Sequence, residues 1–216
     1  GLCKMESGGV AGRWRGRGLT TGRMEIPRVS HFTALPHGPF SLIVADPPWH
    51  FATWSAQGRK KSTDQHYKTL SFSDIEALDV ASVAAPDAVL VIWATAPLLP
   101  QAIQLLGTWG FTYKTAGAWA KQSSTGRKWQ FGTGYIFRSA AEFYVLGTRG
   151  APTLNARNVR NLTVAPVREH SRKPDETFNE LARLVDGPRL ELFARSPRPN
   201  WTVWGDEAAR PIGVVA

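Results

Sequence analysis

Cysteine is almost missing from this chain. The single Cys3 excludes a disulfide framework and every cysteine-based zinc site, and makes a reducing compartment the default expectation. Long apolar runs are missing too. The longest, Ala88 to Ala94, is far too short to span a bilayer, and no charged-then-apolar signal segment stands at the start. A soluble, cytoplasmic protein without membrane contact is expected. The five histidines (His31, His37, His50, His66, His170) lack metal-ligand spacing, and no Walker-type phosphate loop is present, so no metal is expected. His66, next to Tyr67, reads as a surface histidine or a substrate contact.

Acidic residues are in deficit: seventeen Asp and Glu stand against twenty-six Lys and Arg, a net charge of +9. Six basic residues less Glu6 and Glu25 put +4 on residues 1–40, which leaves +5 on the remainder. The bias therefore belongs to the body as well as to the beginning of the chain. It points to a polyanionic partner, nucleic acid first, with plain solubility as the bland alternative.

What is present suffices for a packed domain: 43% of residues are hydrophobic and 11% aromatic. Residues 1–39 form a basic, glycine-rich segment, expected to be flexible at least to residue 23. Residues 40–216 read as the folded domain. Within it, Ser41–Ala45 is a buried strand stopped by Asp46-Pro47-Pro48. Ser73 with Glu76 reads as a capping box opening a helix through Ile75, Leu78 and Val83. Ala88–Thr95 is a second buried strand, and Leu98–Trp109 a helix closed by Gly110. Tyr113–Lys121 and Glu142–Gly147 read as strands. Pro174 opens a helix with Phe178, Leu181 and Val185 on its apolar face, Asp175 and Glu176 in its first turn, and Gly187 beyond its end. Arg189–Ala194 and Trp201–Trp204 complete the series. Short buried strands alternating with amphipathic helices predict an α/β fold, a mostly parallel sheet with helices on both faces. Ligands bind such sheets beyond the carboxyl ends of the strands, here after Ala45, Thr95 and Ala194.

Asp46-Pro47-Pro48-Trp49 is the sharpest signal. Two prolines fix φ and supply no N–H, so the segment is stiff and presents carbonyl acceptors without competing donors. With a carboxylate on one side and a flat aromatic on the other, it suits the exocyclic amine of a base. That nitrogen is a poor nucleophile because its lone pair is delocalised into the ring. Acceptors around it favour a localised pair able to attack an electrophilic methyl. A strand-ending turn with a core tryptophan is the alternative reading.

Asp46-Pro47-Pro48-Trp49 resembles the signature of the MT-A70 family, adenine-N6 methyltransferases of RNA and DNA that use S-adenosyl-L-methionine. The resemblance continues through Tyr67-Lys68-Thr69-Leu70-Ser71, Trp93-Ala94-Thr95, Trp109-Gly110-Phe111 and the series Gly132, Gly134, Arg138, Glu142. It resumes at His170-Ser171-Arg172-Lys173-Pro174, then at Glu191 to Arg195, Pro199-Asn200-Trp201 and Trp204-Gly205-Asp206-Glu207. It covers about Phe40 to Glu207. It implies a Rossmann-like methyltransferase domain with permuted motif order, the acceptor motif first and the donor-binding strand last. Asp46, Pro47, Pro48 and Trp49 would be catalytic, and Tyr67 would face the base. Lys173 would meet the carboxylate of the donor, while Glu191, Phe193, Arg195, Asp206 and Glu207 would line its ribose and adenine.

Two of these have readings of their own. Lys173 stands where a helix cap belongs but has no acceptor to cap with, so it implies an anionic ligand there or is simply solvated. Glu191 interrupts an apolar strand, and alternation puts it on one face with Phe193 and Arg195; the plain alternative is a paired structural acid. Gly132-Thr133-Gly134 reads as a flexible hinge by the substrate groove. Around it Lys121, Arg127, Lys128 and Arg138 interleave with Trp129, as suits a phosphate backbone and an unstacked base, or a solvated loop. Arg59-Lys60-Lys61 is similar. The expected substrate is DNA. RNA is the alternative, as is a non-catalytic nucleic-acid-binding module on the same fold, and a homo- or hetero-oligomer stays open.

Overall fold

The computed structural model describes residues 34–49, 70–132, 134, 136–169 and 172–205. Among these residues seven strands run β1 (Phe40–Ala45), β2 (Ala84–Ala94), β3 (Thr112–Gln122), β4 (Ala141–Arg149), β5 (Leu162–Pro166), β6 (Arg189–Leu192) and β7 (Thr202–Trp204). Four helices lie between them: α1 (Phe72–Glu76), α2 (Val80–Val83), α3 (Leu99–Thr108) and α4 (Asp175–Ala182). The sheet order is β5-β3-β4-β2-β1-β6-β7. β1 pairs in parallel with both β2 and β6, β6 with β7, and β3 with β5, while β4 alone runs against its neighbours β2 and β3. The fold is the expected mostly parallel, Rossmann-like sheet.

β1 is apolar apart from Ser41 because both faces are covered. Ile43 and Ala45 enter one core with Ile75, Val80, Ala102, Leu105 and Leu106 from α1, α2 and α3. Leu42 and Val44 enter the other, with Phe178 and Leu181 of α4. β2 is divided in the same way, Leu90 and Ile92 on one side and Val89, Val91 and Trp93 on the other. Helices therefore cover both faces. Among the described residues no helix is long and apolar enough to cross a membrane.

Several boundaries differ from the sequence reading. The Ser73–Glu76 box does not cap the first helix; Ser71 does, its hydroxyl accepting from the Asp74 N–H at 3.1 Å. The segment then breaks, and Asp79 caps α2 by accepting from the Ser82 N–H at 3.2 Å, so Leu78 and Val83 do not extend one helix. Two cap-competent side chains lie only two residues apart, and the one directly before Phe72 wins. A 3-10 turn over Ala96–Leu98 precedes α3, and Gly110, at φ +83°, turns the chain out of that helix as expected. Gly117, in mid-strand, leaves room for the ring of Tyr144 on the neighbouring strand; a Cβ there would meet it at 2.2 Å.

Candidate active site

The carboxyl end of β1 is the focus. Its neighbours β2 and β6 are reached by chain segments on opposite sides, so β1 and β6 flank a switch point of the sheet, where the strand ends leave a crevice. Asp46 continues the ladder by one bond, its N–H donating to the Leu192 carbonyl at 3.3 Å, which aims the carboxylate beyond the strand end. The ladder stops there because Pro47 and Pro48 have no N–H to give. Their carbonyls are partly engaged: Trp49 N–H donates to Pro47 O at 2.8 Å, and Leu70 N–H to Pro48 O at 3.1 Å. The Pro47 oxygen keeps a second lone pair. Trp49 donates from its indole Nε1 to the Trp93 carbonyl at 3.0 Å and stacks on Phe72 with ring centroids 6.2 Å apart. One signature aromatic thus ties the β1 end to the β2 end.

Lys173 reaches this point from the other end of the sequence. It lies just before Pro174, the cap residue of α4, and its side chain is only 8% exposed. Its Nζ donates to Asp46 Oδ2 at 2.7 Å and stands 3.8 Å from Glu142 Oε2. It also lies 5.6 Å from the ring centre of Trp93, whose ring packs edge-on against Tyr144. Burial works to lower the Lys173 pKa, yet Asp46 and Glu142 together outweigh it and raise it, so the group is an ammonium at neutral pH. The anion beside Lys173, which the resemblance assigns to the donor, here includes the signature carboxylate itself. Arg195 Nη2 lies 3.8 Å from the same Asp46 oxygen. Lys121, expected to contact phosphate, instead turns inward, 3.4 Å from Glu142 and over the ring of Trp119.

A second charged network braces the β6 side. Arg198 donates from Nε to Glu191 Oε2 at 2.9 Å, pairs with Asp175 at the start of α4, and lies over the ring of Phe178, 3.6 Å from its centre. Burial pushes the Glu191 carboxyl up despite Arg198. Asp175 also receives Arg168 and Arg172. Burial works to raise the Asp175 carboxyl, but hydrogen bonds from Arg168 and Arg198 hold it at about 2. Because that pKa is depressed, the stabilisation is present above the unfolded value of about 3.9 and is lost as pH falls through about 2. Asp175→Asn is therefore expected to lower the melting temperature at pH 7, with the gap to wild type closing between about pH 4 and pH 2. A gap that persists unchanged to pH 2 would contradict this pairing.

A protein-family model described as MT-A70 matches residues 40–207. The chain belongs to the MT-A70 family. The Type II methyltransferase M.MunI of Mycoplasma sp is 32% identical over 195 residues, which cover 82% of this chain and 81% of that protein. The N(6)-adenosine-methyltransferase catalytic subunit METTL3 of Homo sapiens is 29% identical over 175 residues, 79% of this chain but 28% of the human protein. The MT-A70-like protein of Drosophila melanogaster is 30% identical over 175 residues, 79% of this chain and 27% of that one. The chain spans most of the Mycoplasma relative and about a quarter of the two animal ones.

In this MT-A70 chain the structure brings Lys121, Glu142, Lys173, Asp46 and Arg195 into one charged cluster, with Lys173 at its centre. Glu191 lies beside it, held by Arg198. Phe193 departs from the face assigned to it. It takes φ +61° directly after β6, so its side chain joins the core of Leu190 and Leu192 and packs edge-on against Trp204 at 5.4 Å instead of sharing the Glu191 face. Arg138 is exposed, as are Arg127, Lys128 and Trp129. Of the expected glycine hinge, Gly132 N–H donates to Ser139 O at 2.9 Å, while Thr133 lies outside the described residues. Tyr67, Asp206, Glu207, His170, Ser171 and Arg59 to Lys61 lie outside the described residues. The sequence reading missed Arg198 as the hub of the second network. No local pattern marks it, since its partners are 7 and 23 residues away.

Proposed function

We propose that this adenine-N6 methyltransferase takes its methyl group from S-adenosyl-L-methionine and delivers it to adenine in DNA, single-stranded or locally opened. One observation carries the reading: the Asp46 carboxylate projects from the end of β1 at the switch point, with one oxygen gripped by a buried ammonium. The donor is a zwitterion with a sulfonium, and the strand ends offer both signs of charge, so the side chains fit it. Lys173 and Arg195 would hold its carboxylate. Glu191, Asp206 and Glu207 would line its ribose and adenine, with Arg198 fixing one oxygen of Glu191 and Phe193 backing the strand end from the core. Bound there, the donor supplies an electrophilic methyl carbon.

The protein's own residues do the rest. Asp46 has two oxygens, and Lys173 engages Oδ2, so the carboxylate can still accept an N–H of the adenine amine. The second lone pair of Pro47 O can accept the other. Both contacts draw the amine lone pair out of the ring and strengthen as positive charge develops on nitrogen. Trp49 and Tyr67 would hold the extruded base. Arg138, with Arg127 and Lys128, would meet phosphates, and Lys121 would join them only by leaving Glu142.

DNA is favoured because a relative of which this chain spans 81% is named a Type II methyltransferase, whereas it spans 28% of the human protein named for N(6)-adenosine. Extruding a base costs least where it is unpaired. Matched DNA and RNA oligonucleotides, single- and double-stranded, should be compared by initial rate at one salt concentration, because phosphate contacts are strongly salt-dependent. Single-stranded or locally opened DNA is expected to lead. A clear RNA preference at equal salt would overturn the substrate assignment and leave the adenine-N6 chemistry standing.

A further inference from the structure

Glu142 buries a carboxylate oxygen, Oε2, that no hydrogen bond reaches among the described residues. It sits at the start of β4 opposite Trp119 of β3, its side chain only 14% exposed. Two cations stand near that oxygen, Lys121 Nζ at 3.4 Å without hydrogen-bond geometry and Lys173 Nζ at 3.8 Å. A buried carboxylate oxygen left in this state is expensive and calls for a reason. Lys173, meanwhile, is committed to Asp46 at 2.7 Å. An ammonium that close competes with any other donor for the carboxylate and weakens it as an acceptor, which is the property the adenine amine needs.

We propose that Glu142 is the second seat of the Lys173 ammonium, a positioning residue that takes Lys173 up when Asp46 turns to the substrate amine. A charge-assisted N–H···O bond is about 2.7–2.9 Å long, so the ammonium reaches Glu142 by moving roughly 1 Å. It stays buried as it moves, and three N–H donors let it keep a contact to Asp46 for part of the way. The face of Trp93 lies beside the ammonium in its present position. Lys121 on the outer side keeps Glu142 charged, and Arg195 compensates Asp46 from the other side. Five charges of alternating sign, Lys121, Glu142, Lys173, Asp46 and Arg195, thus let one ammonium shift between two carboxylates without leaving either buried acid uncompensated. The inference rests on the reading of Asp46 as the amine acceptor.

Glu142→Gln keeps the size and an acceptor oxygen but removes the charge that draws Lys173 over. It is expected to lower kcat on the order of 10- to 100-fold, the effect of an acceptor held off its productive position, with KM for donor and oligonucleotide and the melting temperature near wild type. Glu142→Asp, which restores the charge, should recover part of the loss. Unchanged kcat in Glu142→Gln, a rise in KM alone, or an Asp variant no better than Gln would each overturn the proposal. Should Glu142→Gln fail to fold, the Lys173 ammonium resonance in wild-type protein answers the same question. With the demethylated donor already bound, adding adenine oligonucleotide must move it further, and a resonance unmoved by that second addition overturns the proposal. Asp46→Ala in the same rate assay tests the Asp46 reading separately, so failure of one is distinguishable from failure of the other.

Discussion

Asp46→Ala is expected to reduce methyl transfer by at least about 10²-fold, the scale of losing one preorganised electrostatic contact to developing charge. The loss belongs in kcat. Asp46 accepts from an amine that becomes positive only as the new bond forms, so its contact is stronger in the transition state than in the ground state. Donor binding should survive in large part, because Lys173 then has Glu142 at 3.8 Å as a remaining anion and stays charged. Calorimetric titration with the donor, run beside the rate assay, checks both halves. Activity near wild type would remove Asp46 from the reaction; lost donor affinity with kcat preserved at saturation would move it to the donor site.

Lys173→Ala is expected to act on stability and donor affinity together. Removing the buried ammonium leaves the Asp46 and Glu142 carboxylates, 19% and 14% exposed, without their shared cation. Breaking a buried pair from one side costs about 3–5 kcal/mol, less whatever the acids recover by taking up protons. The second effect falls on the donor carboxylate. If the ammonium makes a charge-assisted hydrogen bond to it, affinity drops by about 1.5–3 kcal/mol. Denaturant unfolding reads the first quantity and calorimetry the second. A destabilised variant with unchanged donor affinity would confine Lys173 to the support of Asp46.

Much of this site is legible in the sequence because its chemistry is local. Two prolines directly after an apolar run leave a carboxylate at a strand end, and no arrangement of neighbours is needed to see it. Lys173 was conspicuous for a local reason as well, a cation without an acceptor at a helix start. Its partner was not visible, because Asp46 lies 127 residues away and only the β1–β6 pairing and the approach of α4 bring the two together. Phe193 shows the limit of periodicity. Alternation holds only while the backbone stays extended, and one residue at φ +61° sends the side chain to the opposite face. β5 was missed because Leu162–Pro166 is a short edge strand with one buried residue, Ala165, too little apolar patterning to stand out from a loop. The first helix was misplaced because Ser71 and Ser73 each stand three residues before an acid, and pattern alone does not choose between them.

The central claim is that Asp46 directs a methyl group to the exocyclic nitrogen of adenine. The most direct measurement is to incubate the protein with methyl-labelled S-adenosyl-L-methionine and a single-stranded DNA oligonucleotide, digest to nucleosides, and locate the label, with the Asp46→Ala protein in parallel. The account predicts label on N6-methyladenine alone in the wild type and none above background in the variant. Label on cytosine, on a ring nitrogen of adenine, or in equal amount with both proteins would contradict it.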